Sequence, residues 1–220
     1  MATDRLKIYN GALLICADRQ LASLSEDREP RHLLDLVWND GGVRYCLEQA
    51  QWHFAMRSSE LDYNPAITPA WGYQRAFDKP TDWVNTSGVF HDAYLRSPLI
   101  QYADEVNYWF CDLDVIYVKY VSDDASYGAD YAKWPATFTE FVKAYFASRI
   151  VRKLPGGGDK VEDICHPTRG VLARNLMIAK NKAAMTQPTT FPARGSWAMA
   201  RHAGQHRTSR DGGNNTSLIG

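Results

Sequence analysis

Residues 115–154, VIYVKYVSDDASYGADYAKWPATFTEFVKAYFASRIVRKL, change hydrophobic period partway along, and that change decides the fold class. In the first seven residues Val115, Tyr117, Lys119 and Val121 share one face and Ile116, Val118 and Tyr120 the other, the alternation of a strand. From Pro135 the period becomes helical, with Phe138, Phe141, Val142, Tyr145, Ile150 and Leu154 on one broad apolar face. Arg149, Arg152 and Lys153 complement the negative end of that helix before Pro155-Gly156-Gly157-Gly158 stops it. A strand followed so closely by a helix predicts an α+β chain.

Upstream, Pro65, Pro69, Pro80 and Pro98 punctuate short aromatic and β-branched runs between about Arg57 and Tyr131, which predicts a β-rich insert. Glu105 to Phe110 is the expected antiparallel partner of VIYVKYV, with Cys111-Asp112-Leu113-Asp114 as the hairpin connection. Before the insert the period is helical again. After a Thr3 N-cap, Leu6, Leu13, Ala17, Leu21 and Leu24 predict a first helix that Asn10-Gly11 weakens. Pro30 opens a second, with a stripe of Leu33, Val37, the Arg44 stem, Leu47, Ala50 and Phe54, in which Gly41-Gly42 marks either close packing against another backbone or a kink. Downstream, Asp159 with Glu162 has the spacing of a capping box. Val161, Ile164, Cys165, Leu172, Leu176, Ala179 and Ala183 then predict a fourth helix that Pro167 kinks or restarts. Beyond Met185 the sequence turns to Thr, Pro, Gly, Ser, Asn and Arg. The expected architecture is mainly α with a β-rich insert: a helical bundle over 1–56 and 132–186, a small antiparallel β insert over 57–131, and an extended C-terminal arm over 187–220.

The bulk properties bound the function. Of 220 residues 45% are apolar, enough to fill a core. The 25 basic residues offset the 25 acidic ones, so the whole molecule has no long-range attraction for nucleic acid or an anionic membrane. The arm departs from this balance, with Arg194, Arg201, Arg207 and Arg210 against Asp211 from Phe191 onward. Cys16, Cys46, Cys111 and Cys165 stand far apart without a CxxC pair, as buried thiols of a reducing compartment do. The apolar run from Ala12 to Ala17 is too short for a signal sequence or a bilayer span, so neither export by that route nor a membrane partner is expected. Asn85-Thr86-Ser87 and Asn215-Thr216-Ser217 then match the glycosylation pattern by chance.

Motifs for chemistry are missing. LPGGGDK lacks the phosphate-loop spacing and reads as a turn between helices. His32, His53, His91, His166, His202 and His206 form no metal-ligand pattern; His202 and His206 are four apart, but in the arm. Asp112, Asp114, Asp123 and Asp124 bunch around the strand and read as turn carboxylates rather than a Ca²⁺ site or an acid–base pair. Ser58, Ser59 and Ser196 lack a nucleophile elbow. No catalytic, cofactor-binding or metal-binding residue is expected, and the chain reads as a structural assembly subunit.

Gln51-Trp52-His53-Phe54-Ala55-Met56-Arg57, with Leu61 following, closes the second helical segment. Trp71 to Phe77, Pro80-Thr81-Asp82, Tyr117-Val118-Lys119-Tyr120 and Trp134-Pro135-Ala136-Thr137-Phe138 come after it. In this order, over roughly Leu6 to Ala184, the chain resembles the podovirus tail tubular protein A family of phage head-to-tail adaptors. Members of that family carry W-x-F-A at the end of a long helix, an aromatic strand, a P-x-D turn and a W-P-x-x-F helix. The resemblance implies a helical bundle with a small β insert, assembled as a dodecameric ring that connects capsid to tail. It implies three protein partners: the portal protein, neighbouring copies, and a distal tail or nozzle protein. Double-stranded DNA would pass through the channel without sequence readout, and the protein would sit at the head-tail junction of the virion after synthesis in the host cytoplasm. It brings no catalytic residue and no cofactor, and makes Trp52, Phe54, Ala55, Pro80, Asp82, Trp134, Pro135 and Phe138 a structural signature.

The arm departs from the family pattern. Its isolated large side chains assign Phe191, Arg194, Trp197, Met199 and Arg201 to docking on the portal or a neighbour, because aromatic residues anchor interfaces. Arg149, Arg152, Lys153 and the arm arginines are candidates for phosphate contact. Two other readings stand beside the adaptor: a nucleic-acid-binding assembly factor tethered by the basic arm, and a tail-associated cell-wall hydrolase using a carboxylate pair.

Overall fold

Helices open the chain: α1 (Arg5–Ile15), α2 (Glu29–Asn39) and α3 (Gly42–Glu48). Six strands follow, β1 (Met56–Asp62), β2 (Arg75–Asp78), β3 (Trp83–Phe90), β4 (Ala103–Asp104), β5 (Tyr108–Cys111) and β6 (Val115–Ser122). Then come α4 (Ala136–Ile150), α5 (Val161–Cys165) and α6 (Val171–Thr186). This is a computed structural model that describes residues 5–186. Thr3 and the arm from 187 onward, with Phe191, Arg194, Trp197, Met199 and Arg201, lie outside the described residues. Among the described residues the fold is mixed α+β, with six α-helices and two small antiparallel sheets of three strands.

Helix α4 is the centre of the helical core. Phe138, Phe141, Val142, Phe146, Ala147 and Ile150 are all buried, and α1 and α6 both pack on it. A helix buried on most sides needs apolar residues around most of its circumference, which is why its apolar face is so broad. Gly11 of α1 allows the approach: a Cβ there would lie 2.4 Å from Cδ of Lys143 on α4. The glycine that weakens the helix by propensity thus lets the Lys143 side chain lie across α1, and a Cβ there would make that side chain shift.

The helix ends differ from the sequence expectation. α1 stops at Ile15, and neither Leu21 nor Leu24 belongs to it. Ala17 takes the left-handed conformation (φ 49°), Asp18 N–H bonds to Leu13 C=O at 2.9 Å and Ala17 N–H to Leu14 C=O at 3.0 Å. That is a Schellman closure with alanine where glycine is usual, so no glycine announces it. Leu21 is nonetheless buried, because the Asn10 side chain accepts from its N–H at 2.8 Å and donates to its C=O at 3.0 Å. The second helix is broken rather than kinked. Gly41 at φ +81° separates α2 from α3, and α3 ends at Glu48, so neither Ala50 nor Phe54 is on an α-helix. The Asp159–Glu162 capping box does not form either. Lys160 precedes α5 without a side-chain cap, and its Nζ donates instead to Cys16 C=O at 2.8 Å. Pro167 follows the end of α5, and α6 is a restart at Val171.

The strand from 115 forms as read, but not with the expected partner. β6 is central in a sheet of order β1-β6-β3, with Met56 opposite Val121 and Asp62 opposite Val115. Tyr108–Cys111 lies in the other sheet, of order β2-β5-β4, so residues 112–114 cross between sheets instead of closing a hairpin. The crossing is held by charge: Arg75 pairs with Asp114 at 2.5 Å, and Asp112 accepts from the Gln74 N–H at 2.9 Å. Ile116, Val118 and Tyr120 face a second core with Phe77, Val89, Trp109 and Cys111, while Val121 and Val84 reach the helical core. The register places the three crossings β1→β2, β3→β4 and β5→β6 at the same end of the two sheets, since Asp62 lies opposite Val115 and Arg75 opposite Cys111.

Two backbone positions give opposite expectations. Gly41→Ala puts a Cβ into a left-handed position and should lower unfolding free energy by about 1 kcal/mol, whereas Ala17→Gly should raise it by up to about 1 kcal/mol. Urea unfolding midpoints of the two variants check both signs.

Candidate functional site

The signature residues form two clusters that the fold joins. The first surrounds Phe138 at the start of α4. Its ring centroid lies 4.8 Å from Trp52, 4.8 Å from Phe54 and 4.9 Å from Trp134, with Phe141 at 6.1 Å. Trp52 and Phe54 come from the segment after α3, where His53–Ala55 makes a single 3-10 turn; the expected helix stripe is absent there. The Trp52 Nε1–H donates to Cys46 C=O at 3.1 Å, satisfying a carbonyl in the last turn of α3. Pro135 is the residue before α4, and Ala55 is fully buried where the 3-10 turn gives way to β1. The knot thus fixes the direction in which the chain leaves the helices for the sheets.

The second cluster surrounds Asp82, two residues beyond Pro80. The Pro80 carbonyl accepts from Trp83 N–H at 3.0 Å, a turn that delivers the Asp82 carboxylate to the start of β3. That carboxylate accepts from Arg57 Nη1 at 2.9 Å, from Ser122 Oγ at 2.5 Å and from the Tyr120 hydroxyl at 3.3 Å. Burial pushes the Asp82 carboxyl up, but the hydrogen bonds from Ser122 and Arg57 and the Arg57 charge outweigh it and hold it below the ordinary carboxylate range. Burial first, and the Asp82 charge beside it, push the Tyr120 hydroxyl up to about 12, so it stays a donor. Arg57 also stacks over the Tyr127 ring, 5.4 Å from its centroid.

One loop ties the clusters together. The Trp134 Nε1–H donates to Gly128 C=O at 2.8 Å, Gly128 N–H donates to Ser122 C=O at 3.1 Å, and Ser122 Oγ donates to Asp82. Motifs far apart in sequence therefore close into one network that joins helix start, loop and both outer strands of the first sheet. Every aromatic in it except Phe54 and Tyr127 is at most 7% exposed, so these residues set the scaffold.

A third cluster carries no sequence signal. Lys79 Nζ pairs with Asp104 at 2.5 Å and lies 3.8 Å from the Trp83 ring, its side chain only 6% exposed. Asp104 also accepts from Thr86 Oγ1 at 2.9 Å and Trp109 Nε1 at 3.2 Å. The cluster links β3 of one sheet to β4 and β5 of the other, and a lysine, an aspartate and two tryptophans so far apart give no motif to find.

The remaining chemical candidates are engaged elsewhere. Asp123 pairs with Arg44 at 2.5 Å and Asp114 with Arg75, while Asp112 and Asp124 accept from turn amides. Burial pushes the Cys16 thiol up to about 11 and raises Cys46 and Cys111 as well, which keeps them thiols rather than nucleophilic thiolates at neutral pH. His53 Nε2 bonds to Ala183 C=O at 3.0 Å, and His32 and His166 face Asp27 and Glu162. Among the described residues no group of three His, Cys, Asp or Glu side chains could hold a metal ion. No described helix is long and apolar enough to cross a membrane. LPGGGDK is a turn, with Gly156 at φ +68°.

The outer surface holds the contact candidates. Trp71 and Ile100 are each 88% exposed and, with Tyr94, sit on the two long crossings at the far end of the sheets. Arg149, Arg152 and Lys153 are exposed at the end of α4, and none pairs with a carboxylate among the described residues. No protein-family model matches the chain, and a search of curated proteins finds no match.

Phe138→Ala should cost about 4 kcal/mol in urea unfolding, because the cavity opens where four aromatic rings meet. Asp82→Asn should cost about 2 kcal/mol at pH 7, since Arg57 and Ser122 lose a charged acceptor. The folded carboxyl is depressed, so its contribution is complete above the unfolded value near 4 and fades as pH falls through the folded value. The gap between wild type and Asp82→Asn should therefore narrow toward pH 3, and a gap independent of pH would sink this account of the cluster.

Proposed function

We propose that the chain is a head-to-tail adaptor subunit: a helical bundle with a β insert that assembles with copies of itself into a ring, a dodecamer by resemblance, beneath a portal protein. The observation that carries this is the signature network. Of the residues that the motif order singles out, Trp52, Ala55, Trp134 and Phe138 are buried and, with the Asp82 carboxylate, converge on the junction between helices and sheets. Such an arrangement fits a protein whose sequence pattern records a scaffold, with function in the surfaces that the scaffold holds apart.

In this reading the helices make the ring wall. The β insert offers Trp71, Tyr94 and Ile100 to a distal tail or nozzle protein, because large exposed side chains on clustered loops suit a protein contact better than solvent. The segment 187–220, with Phe191, Arg194, Trp197, Met199 and Arg201, serves docking. Double-stranded DNA passes through the channel, touched through its phosphates alone. The protein acts at the head-tail junction of a virion, without catalysis and without a cofactor.

The three unpaired cations at the end of α4 favour one second reading, a nucleic-acid-binding assembly factor with the basic arm as tether. It would give DNA binding that falls steeply with salt and is lost when residues after Pro188 are deleted.

Native mass measurement and negative-stain imaging of the protein, alone and mixed with a portal protein, test the leading reading. Closed rings, formed alone or only on the portal, are expected. A strictly monomeric protein that leaves the portal bare would overturn it.

A further inference from the structure

Between α4 and α6 runs an apolar groove of about 350 Å³, with Trp52, Phe54 and Phe138 on its floor and Ala179, Ala183 and Thr186 along its wall. His53 closes one side through its bond to Ala183 C=O, and Lys182 stands at the rim. The seam continues toward Ala136, Thr137, Asn175 and Ile178, so the hollow is elongated rather than round. Thr186, on its lip, is the last described residue, and 34 residues of chain follow it.

We infer that this groove receives segment 187–220 of a second copy, with Phe191 as the aromatic anchor. The chemistry matches: the floor is aromatic carbon, and the segment carries Phe191, Trp197 and Met199 spaced among small and polar residues. Geometry favours a second copy as the donor. The groove lies back along α6 from Thr186, so a chain filling its own groove must reverse within Gln187 to Thr190. Pro188 biases Gln187, the first residue of that stretch, toward extended backbone, which opposes so tight a reversal. A donor from a neighbouring copy meets no such constraint. Each copy then gives one segment and receives one, the head-to-tail relation that closes rings. The inference rests on the ring reading and adds the receiving site to it.

The test uses full-length protein carrying Phe191→p-benzoylphenylalanine, a photoreactive aromatic, mixed with an equal amount of heavy-isotope-labelled protein without the probe. After irradiation of the assembly, formed alone or on the portal protein, the expected product is a cross-link from the probe chain to labelled peptides containing residues 52–54 or 179–186. Ala183→Trp in the labelled protein, which fills the groove, should reduce that product roughly thirtyfold, the effect of losing one aromatic hot spot. Cross-links within the probe chain alone, cross-links only to other surfaces, or a yield unmoved by Ala183→Trp would each overturn the inference. A ring without the mixed product sinks the groove and keeps the ring; the mixed product in a dimer keeps the groove and sinks the ring.

Discussion

Everything in the described chain turns on how Phe138 is surrounded. Its ring meets Trp52 and Phe54 from one side of the strands in sequence and Trp134 and Phe141 from the other. Aromatic rings bury large areas and prefer edge and offset contacts, so four such neighbours leave the ring one orientation. Because Trp52 also binds the end of α3 and Trp134 the loop after β6, that single orientation fixes where the sheets begin and where α4 starts. The Asp82 carboxylate does the equivalent work in polar terms, drawing Arg57, Tyr120 and Ser122 of the first sheet onto the turn that follows Pro80.

Sequence reading succeeded where a single periodic segment determines its own environment. VIYVKYV forms a strand with the faces that its alternation assigns, and the helix after Pro135 forms where its stripe begins, because each pattern is self-contained. It failed where the outcome depends on a partner. Tyr108–Cys111 is a strand, yet a three-residue link to β6 permits either a hairpin or a crossing between sheets, and Arg75 at a distant position decides it. It failed again at helix ends. Ala17 closes α1 without glycine, and Gly41 breaks a stripe that would otherwise run through to Phe54.

The signature residues were legible as positions, but not as a network. Trp52, Asp82 and Trp134 stand out because their types are costly to place at random, yet nothing in the spacing says that Gly128 and Ser122 connect them. The Lys79–Asp104 pair was illegible for the same reason: a buried lysine looks like any surface lysine until two tryptophans are seen beside it. Surfaces were the least readable, since exposure of Trp71 or Ile100 follows from loop placement rather than from residue type.

The central place of α4 also governs how the protein is made. α1, α2 and α3 emerge from the ribosome well before α4, which begins at Ala136, and until then the core faces of α1 and α3 have no helix to cover them. Synthesis at roughly 5–20 residues per second leaves that face open for about five to twenty seconds while the strands are translated. β1 waits as well, since β6, its sole ladder partner among the described strands, is translated after all the others. Folding of this chain is consequently a late event, committed only when the segment from β6 through α4 has left the ribosome, and faster synthesis shortens the time for which the apolar faces of the nascent helices stay open.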